Sequence, residues 1–333
     1  VNIAVVILNW NGKKWLEKFL PTVIKYSPEA NIYVADNAST DDSVSYVQNT
    51  FPQVKVIQNT LNGGYAQGYN QALKAIEEPY LCLLNSDVEV TENWLVPILA
   101  LFEQNTEIAA IQPKILDYKN KACFEYAGAA GGFIDKFGYP FCRGRIFDTV
   151  EKDEGQYDDV SEIFWASGAC FFIRNSEFKK HKGFDERFFA HMEEIDLCWR
   201  IKNSGKKVYY NYKSVVYHVG GGTLNSSRPQ KTYLNFRNSL FTLLKNLPET
   251  TRNSIVFKRM TLDAIAIIKY LMTFKFGHAL AIFNAHMAYY QNKQSFLQND
   301  IKNDKNLNYY LVESIVRQYY VSKRKQFRNL IKN

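Results

Sequence analysis

A mostly parallel α/β sheet flanked by helices, followed by a helical carboxyl-terminal extension, is the fold this sequence predicts. Three observations predict it. Short β-branched or aliphatic runs alternate with segments of helical spacing up to about residue 112. Four polar loops directly follow four of the predicted strands, where ligands collect in parallel sheets. Beyond residue 226 the composition turns basic and helical.

Segments 3–8, 31–35, 54–58 and 80–84 read as strands. Segments 14–26, 42–50, 66–77 and 92–104 carry helical periodicity. The polar loops are Asn9 to Gly12, Asp36 to Ser39, Asn62 to Gly64 and Asn85 to Glu89. Ordinary turn chemistry explains one such loop easily and four less well. Residues 113–160 are rich in Gly, Tyr and Phe, with a Gly131-Gly132 pair and an acidic stretch at 151–159, and read as a long loop over the sheet. A second apolar stretch runs over 163–173, a helix is expected over 193–204 and a strand over 208–212. The boundary is placed near 226, giving a body of 1–225 and a basic helical region of 226–333.

The chain has 333 residues, 46% of them hydrophobic, enough for one large domain or a domain with an appendage. The apolar run at 3–8 is too short, and lacks a basic segment before it, to read as a signal peptide. The best spanning candidate, 276–292, is interrupted by His278, Asn284 and His286 and falls short of about 20 apolar residues. A soluble or peripheral protein is expected. The five cysteines form no C-x-x-C pair, so free thiols in a reducing cytoplasm are expected rather than a zinc site or disulfide framework. The net charge of +8 conceals an asymmetry: residues 226–333 hold 18 Lys and Arg against 5 Asp and Glu, while 1–225 are net acidic. Such a tail is suited to meet anions.

Four groups could carry chemistry. Asp87 follows an apolar strand, where a hard divalent cation takes carboxylate and phosphate oxygens, although a helix cap explains an Asp equally well. Glu193, Glu194 and Asp196 open a helix, either as a solvated first turn favoured by the dipole or with one carboxylate as general base. Glu193 and Asp196 share a face and Glu194 points elsewhere. His218 precedes Gly220-Gly221-Gly222-Thr223 and is suited to approach a phosphate or metal. Asn62-Gly63-Gly64 leads into a helix whose amides favour anions. A dinucleotide site would want G-x-G-x-x-G after the first strand, and Asn9-Trp10-Asn11-Gly12 stands there instead.

Taken together, the segment from Val5 through Gly12, Asp36-Asn37-Ala38-Ser39-Thr40-Asp41, Asn62-Gly63-Gly64-Tyr65-Ala66, Leu83-Leu84-Asn85-Ser86-Asp87, and Glu193 through Arg200 followed by His218 resemble glycosyltransferase family 2. The closest flavour is the rhamnosyltransferase-like branch of bacterial surface-polysaccharide synthesis. The resemblance covers about residues 2–225 and implies the GT-A fold, a Rossmann-like mostly parallel sheet, with the nucleotide-sugar in 1–112 and the acceptor side and base in 113–225. It implies an inverting, divalent-metal-dependent transfer, with Mn²⁺ or Mg²⁺, from a nucleoside-diphosphate sugar to a glycan or lipid-linked hydroxyl.

Carried over residue by residue, Asp36 and Asn37 would contact the base or ribose, and Asn9, Asn11, Asn62, Gly64, Asn85 and Ser86 would line the donor. Asp87 would bind the metal, completed by His218, and Glu194 would be the base with Glu193 as the fallback. Trp165, Gly168 and Asp196 would lie on the acceptor side. The chain departs from the family with Asn85 for the first Asp of D-x-D and Glu194 for the usual basic Asp. A catalytically silent nucleotide- or glycan-binding relative is therefore the alternative. The interleaved basic and apolar residues of 228–333 suit either an anionic membrane surface at the inner face of the cytoplasmic membrane or packing on the body. Nucleic acid is not expected, and the oligomeric state is open.

Overall fold

A computed structural model describes residues 2–220, 228–297 and 308–331. The first strands fall where the hydrophobic runs put them: β1 (Ile3–Asn9), β2 (Ala30–Asp36), β3 (Lys55–Gln58) and β4 (Tyr80–Asn85). They are all parallel, in the spatial order β4-β1-β2-β3. Between them lie α1 (Lys13–Tyr26), α2 (Ser43–Thr50) and α3 (Gly64–Ala72). In β1, Ile3, Val5 and Ile7 face a core shared with Leu16 and Leu20 of α1, while Ala4 and Val6 face Ala66 and Tyr69 of α3. Both faces are covered, which is why the run is continuous rather than alternating.

The chain continues through β5 (Val88–Val90), α4 (Val96–Gln104) and β6 (Ile108–Asp117). Residues 113–160, expected as a loop, contain the end of β6 and a separate four-stranded antiparallel sheet. Its strands are β7 (Gly132–Ile134), β8 (Pro140–Cys142), β9 (Arg145–Ile146) and β10 (Thr149–Val150). Strands of two or three residues leave too short a periodicity to read. Then come β11 (Val160–Ile163), β12 (Cys170–Arg174), α5 (Asn175–Lys180), α6 (Glu193–Asn203) and β13 (Lys207–His218). Antiparallel β12 enters the main sheet between β4 and β6. The last strand runs six residues past the expected 208–212, to His218.

Three long helices follow among the described residues, α7 (Pro229–Asn246), α8 (Glu249–Met272) and α9 (Phe276–Leu297), with two short helical turns, Arg317–Val321 and Phe327–Asn329, after them. They do not build a core of their own. Leu240, Phe241 and Leu244 of α7 are buried in the same hydrophobic cluster as Phe188, Ile195 and Trp199 of the body. A buried polar knot ties α8 and α9 to the small sheet. Asp263 accepts hydrogen bonds from Arg259 Nε (2.8 Å) and Tyr139 Oη (2.6 Å), and His286 lies 3.3 Å away. The five cysteines are unpaired, and no helix among the described residues is long and apolar enough to cross a membrane.

Candidate active site

The polar loops gather at the carboxyl ends of β1, β2 and β4. Asn9 is fully buried, and its amide nitrogen donates to Asp36 Oδ1 (3.0 Å), Ser39 Oγ (3.2 Å) and Ser43 Oγ (2.9 Å). Its place is a strut between strand ends rather than a wall facing solvent. Asp36 Oδ2 accepts from the Ser39 amide (2.9 Å), so this buried carboxylate organises the β2 loop. Asn11, exposed and at φ 49°, accepts from the amides of Thr40 and Asp41, tying the β1 and β2 loops together. Asn37 is buried and donates to Asn62 Oδ1 (2.9 Å) and the Gly64 carbonyl (3.0 Å). Asn62 in turn accepts from the Gly64 amide. Ser39, part of the predicted polar loop, and Ser43, which the sequence did not single out, join this corner.

The reversal after β4 brings Asp87 to His218. Asn85 and Ser86 lead into it, and β5 then pairs antiparallel with the end of β13, with Val88 opposite His218. Asp87 therefore caps no helix: α4 begins only at Val96. Asp87 Oδ1 stands 3.2 Å from His218 Nε2, and Asn85 Nδ2 is 3.4 Å from the same nitrogen. On the far side of the ring, Glu125 Oε2 is 3.4 Å from Nδ1. Burial alone would lower the pKa of His218. The charges of Glu125 and Asp87 overcome that penalty and carry it up to about 10. The sequence had no signal for Glu125, since it lies in the irregular segment after β6. Gly221, Gly222 and Thr223 lie outside the described residues.

Among the described residues, no three His, Cys, Asp or Glu side chains gather into a full metal cage. Two ligands are nevertheless what a hard cation needs when phosphate oxygens complete its shell. The donor set of one carboxylate and one imidazole, with the other ring nitrogen facing a second carboxylate, fits such an ion.

The carboxylates at the start of α6 divide by environment. Asp196 is fully buried and locked by Lys245 Nζ (2.8 Å), Arg200 Nε (2.9 Å) and Asn246 Nδ2 (2.9 Å). Burial acts to raise its pKa, yet Lys245 and Arg200 hold it below the usual range. It is an anchor between α6 and α7, not an acceptor-side group. Glu193 and Glu194 each keep a buried Oε2 without a hydrogen-bond partner. Burial raises Glu194 to about 7, with backbone amides of Glu194 and Gly168 pulling it back. Burial and the neighbouring Glu194 charge push Glu193 well above the ordinary carboxylate value. The two neighbouring carboxylates oppose each other's ionisation, and Glu194, half-buried rather than buried, is the more accessible of the two.

Gly168 joins the two halves of the site. Its carbonyl accepts from Tyr65 Oη (2.9 Å), a Cβ there would meet that oxygen at 2.8 Å, and the next carbonyl, of Ala169, accepts from the Asn85 amide (3.0 Å). Trp165 is buried, donating Nε1 to the Phe133 carbonyl (3.0 Å) and packing where a Gly132 Cβ would sit. It therefore offers no open ring face to a sugar.

The loop before α6 is strained: Phe189, His191 and Met192 have φ of 65°, 71° and 76°. The Phe189 carbonyl accepts from the Tyr65 amide (2.9 Å), and a Cβ on Gly64 would lie 2.3 Å from it. Asn238 of α7, fully buried, holds this loop by donating to the carbonyls of Phe188, Ala190 and His191.

A family model, Glycosyl transferase family 2, matches residues 4–145. The chain is 25% identical over 241 residues to N-acetylglucosaminyl-diphospho-decaprenol L-rhamnosyltransferase of Mycobacterium tuberculosis, covering 66% of this chain and 77% of that protein. It is 23% identical over 218 residues to rhamnosyltransferase WbbL of Escherichia coli, covering 62% and 80% respectively. Among solved structures it superposes on GalNAc-T7, crystallised with UDP, GalNAc and Mn²⁺, with a TM-score of 0.54 and 21% identity. That match covers 65% of this chain and 43% of the longer protein, and shows a shared fold. Residues 4–145 match the glycosyltransferase family 2 model, the chain shares the fold of GT-A glycosyltransferases, and it is a glycosyltransferase similar to rhamnosyltransferases.

Proposed function

We propose that this chain transfers a sugar, with inversion, from a nucleoside-diphosphate sugar to a hydroxyl of a glycan or lipid-linked acceptor in cell-surface polysaccharide synthesis. The observation that carries the reading is the poise of Glu194, a half-buried carboxylate with an unpartnered oxygen and a pKa of about 7, bordering the turn that also touches the Asn85 strand end. Its environment suits a group that takes a proton at neutral pH.

Asp36, Asn37, Asn9 and Asn11 shape the nucleoside side, and Asn62, Gly64, Asn85 and Ser86 border the diphosphate. Asp87 and His218 would hold the divalent cation, Mn²⁺ or Mg²⁺, in keeping with the Mn²⁺ found with GalNAc-T7. When bound, that ion offsets the negative charge that grows on the leaving diphosphate. Glu194 takes the proton of the acceptor hydroxyl as the acceptor oxygen forms a bond to the anomeric carbon. The bond from that carbon to the diphosphate oxygen breaks, and its electron pair leaves with the diphosphate. Gly168 positions Glu194 through its backbone, so the acceptor reaches the site past this turn rather than across Trp165 or Asp196.

Calorimetric titration with UDP, dTDP and GDP, each with Mn²⁺ and again with EDTA, tests the donor site. One nucleotide is expected to bind, and only with the metal. Failure of all three with folded protein would remove the reading.

Two further residues have expected effects. Glu125 faces the second ring nitrogen of His218 and fixes which nitrogen is presented to the metal. Glu125→Gln is therefore expected to weaken Mn²⁺ binding about 10- to 100-fold, read by calorimetry without substrate. Asn238 spends its amide on the loop that carries Glu193 and Glu194. Asn238→Ala leaves the Ala190 and His191 carbonyls without this donor, while Phe188 keeps Arg237, and is expected to cost about 1–3 kcal/mol in urea unfolding. Its kcat should fall more than its KM rises, because the base is displaced while the donor pocket stays intact. An unchanged kcat would show the loop to be held by other contacts.

A further inference from the structure

The hairpin joining α8 to α9 exposes what a folded body ordinarily hides. Seven consecutive residues, 271–277, are exposed across its tip. Met272, Phe274 and Phe276 are 76%, 80% and 59% exposed, and Ile268, Leu280 and Phe283 extend the same apolar surface along the two helices. Phe274 sits at φ 55°, a backbone conformation where Gly or Asn is the usual occupant, so a large aromatic is placed at the turn against local preference.

The charge around this surface is predominantly positive, with the exposed Asp148 near Tyr270 and Tyr320 as an acid that a neighbouring segment brings to it. Lys275 lies between the two phenylalanines and Lys269 one turn behind the tip, both exposed. Lys269 Nζ lies 5.5 Å from the Tyr320 ring, which brings the exposed run Lys323-Arg324-Lys325 alongside. From residue 249 to 297 the only acids are Glu249 and Asp263, and Asp263 is buried in its polar knot. Pairing with a second copy through this face would set lysine against lysine. An anionic lipid surface matches both the apolar tip and the basic flank.

The hairpin is also fixed relative to the site. His278 Nδ1, just past the tip, lies 2.7 Å from Thr232 Oγ1 in the first turn of α7. Asn238, about 9 Å further along that helix, grips the loop before Glu193 and Glu194.

We infer that the α8–α9 tip is a membrane wedge that inserts Met272, Phe274 and Phe276 into an anionic bilayer surface, with Lys269 and Lys275 at the headgroups. Resting on the transferase reading above, this docking sets the acceptor mouth of the cleft at the lipid surface, where a lipid-linked acceptor would be met. The wedge itself is tested without any sugar transfer, so its failure and the failure of that reading are separable.

Flotation of the full chain with phosphatidylcholine vesicles, with and without about one third phosphatidylglycerol, is the experiment. Binding is expected only with phosphatidylglycerol and is expected to weaken at high salt. The Phe274→Ser, Phe276→Ser double variant and the Lys269→Glu, Lys275→Glu double variant should each lose about tenfold in bound fraction at an unchanged melting temperature. Wild type remaining unbound on both vesicle types, equal binding to phosphatidylcholine alone, or full binding by either variant would overturn the inference. So would sedimentation velocity showing a dimer that the Phe274→Ser, Phe276→Ser variant abolishes while vesicle binding is absent.

Discussion

Glu194→Gln is expected to lower kcat by about 10²- to 10⁴-fold while leaving nucleotide affinity within a factor of about two. The amide keeps the shape and the approach to Gly168 but cannot take a proton from the acceptor. The wild-type rate should depend on pH in the same terms. Burial lifts Glu194 to about 7, so kcat/KM should fall as the pH drops below that value and the base becomes protonated. Glu193→Gln should do much less, because Glu193 is more deeply buried than Glu194 and its ionisation is opposed by burial and by the neighbouring Glu194 charge. A large loss in Glu193→Gln with a small one in Glu194→Gln would exchange their roles.

The same shifts bear on stability, with a definite sign. A carboxyl whose pKa is raised by folding binds its proton more tightly in the folded than in the unfolded chain. Its contribution is complete below the ordinary value of 4.5 and is lost as the pH rises through about 7. Glu194→Gln removes that loss, so at about pH 8 the inactive variant should unfold at a urea concentration at least as high as wild type. A lower midpoint would mean that the ionised Glu194 has a partner that stabilises it.

What the sequence made legible was the part governed by local pattern. The runs at 3–8 and 80–84 are apolar enough to be central strands, and the loops after them carry the polar residues, so strand, loop and site could be read together. Two things stayed hidden. Glu125 reaches His218 only because β6 turns back on itself near Phe124 and β13 extends to His218, a pairing between segments 93 residues apart that leaves no periodic trace. The division of labour among Glu193, Glu194 and Asp196 was also invisible. Helical spacing put Glu193 and Asp196 on one face, but Lys245 and Asn246 of α7 decide that Asp196 is neutralised as an anchor. Trp165 shows the same limit. An aromatic beside a small-residue turn suits a sugar and suits a core equally, and the choice is made by the absent side chain of Gly132 against its ring.

Asp87→Ala is the second substitution with a large expected effect, and it separates the ion from the base. Asp87 is held at the end of β4 by the pairing of Val88 with His218, so removing its carboxylate leaves the backbone reversal in place. His218 keeps Glu125 on its other nitrogen, so the variant is expected to fold. Its nucleotide affinity in Mn²⁺ should drop to the level wild type shows in EDTA, and kcat should fall by roughly 10²-fold or more, as charge on the leaving diphosphate goes uncompensated. Glu194→Gln should show the reverse split, with nucleotide and metal bound normally and transfer lost. If Asp87→Ala still bound nucleotide with full dependence on Mn²⁺, the ion would have to be held by other groups, and the pairing of Asp87 with His218 would be structural. If wild type bound nucleotide equally in EDTA, the positive charge beside the diphosphate would be supplied by the chain. His218 itself, carried to a pKa of about 10 between two carboxylates, would then be the first group to examine.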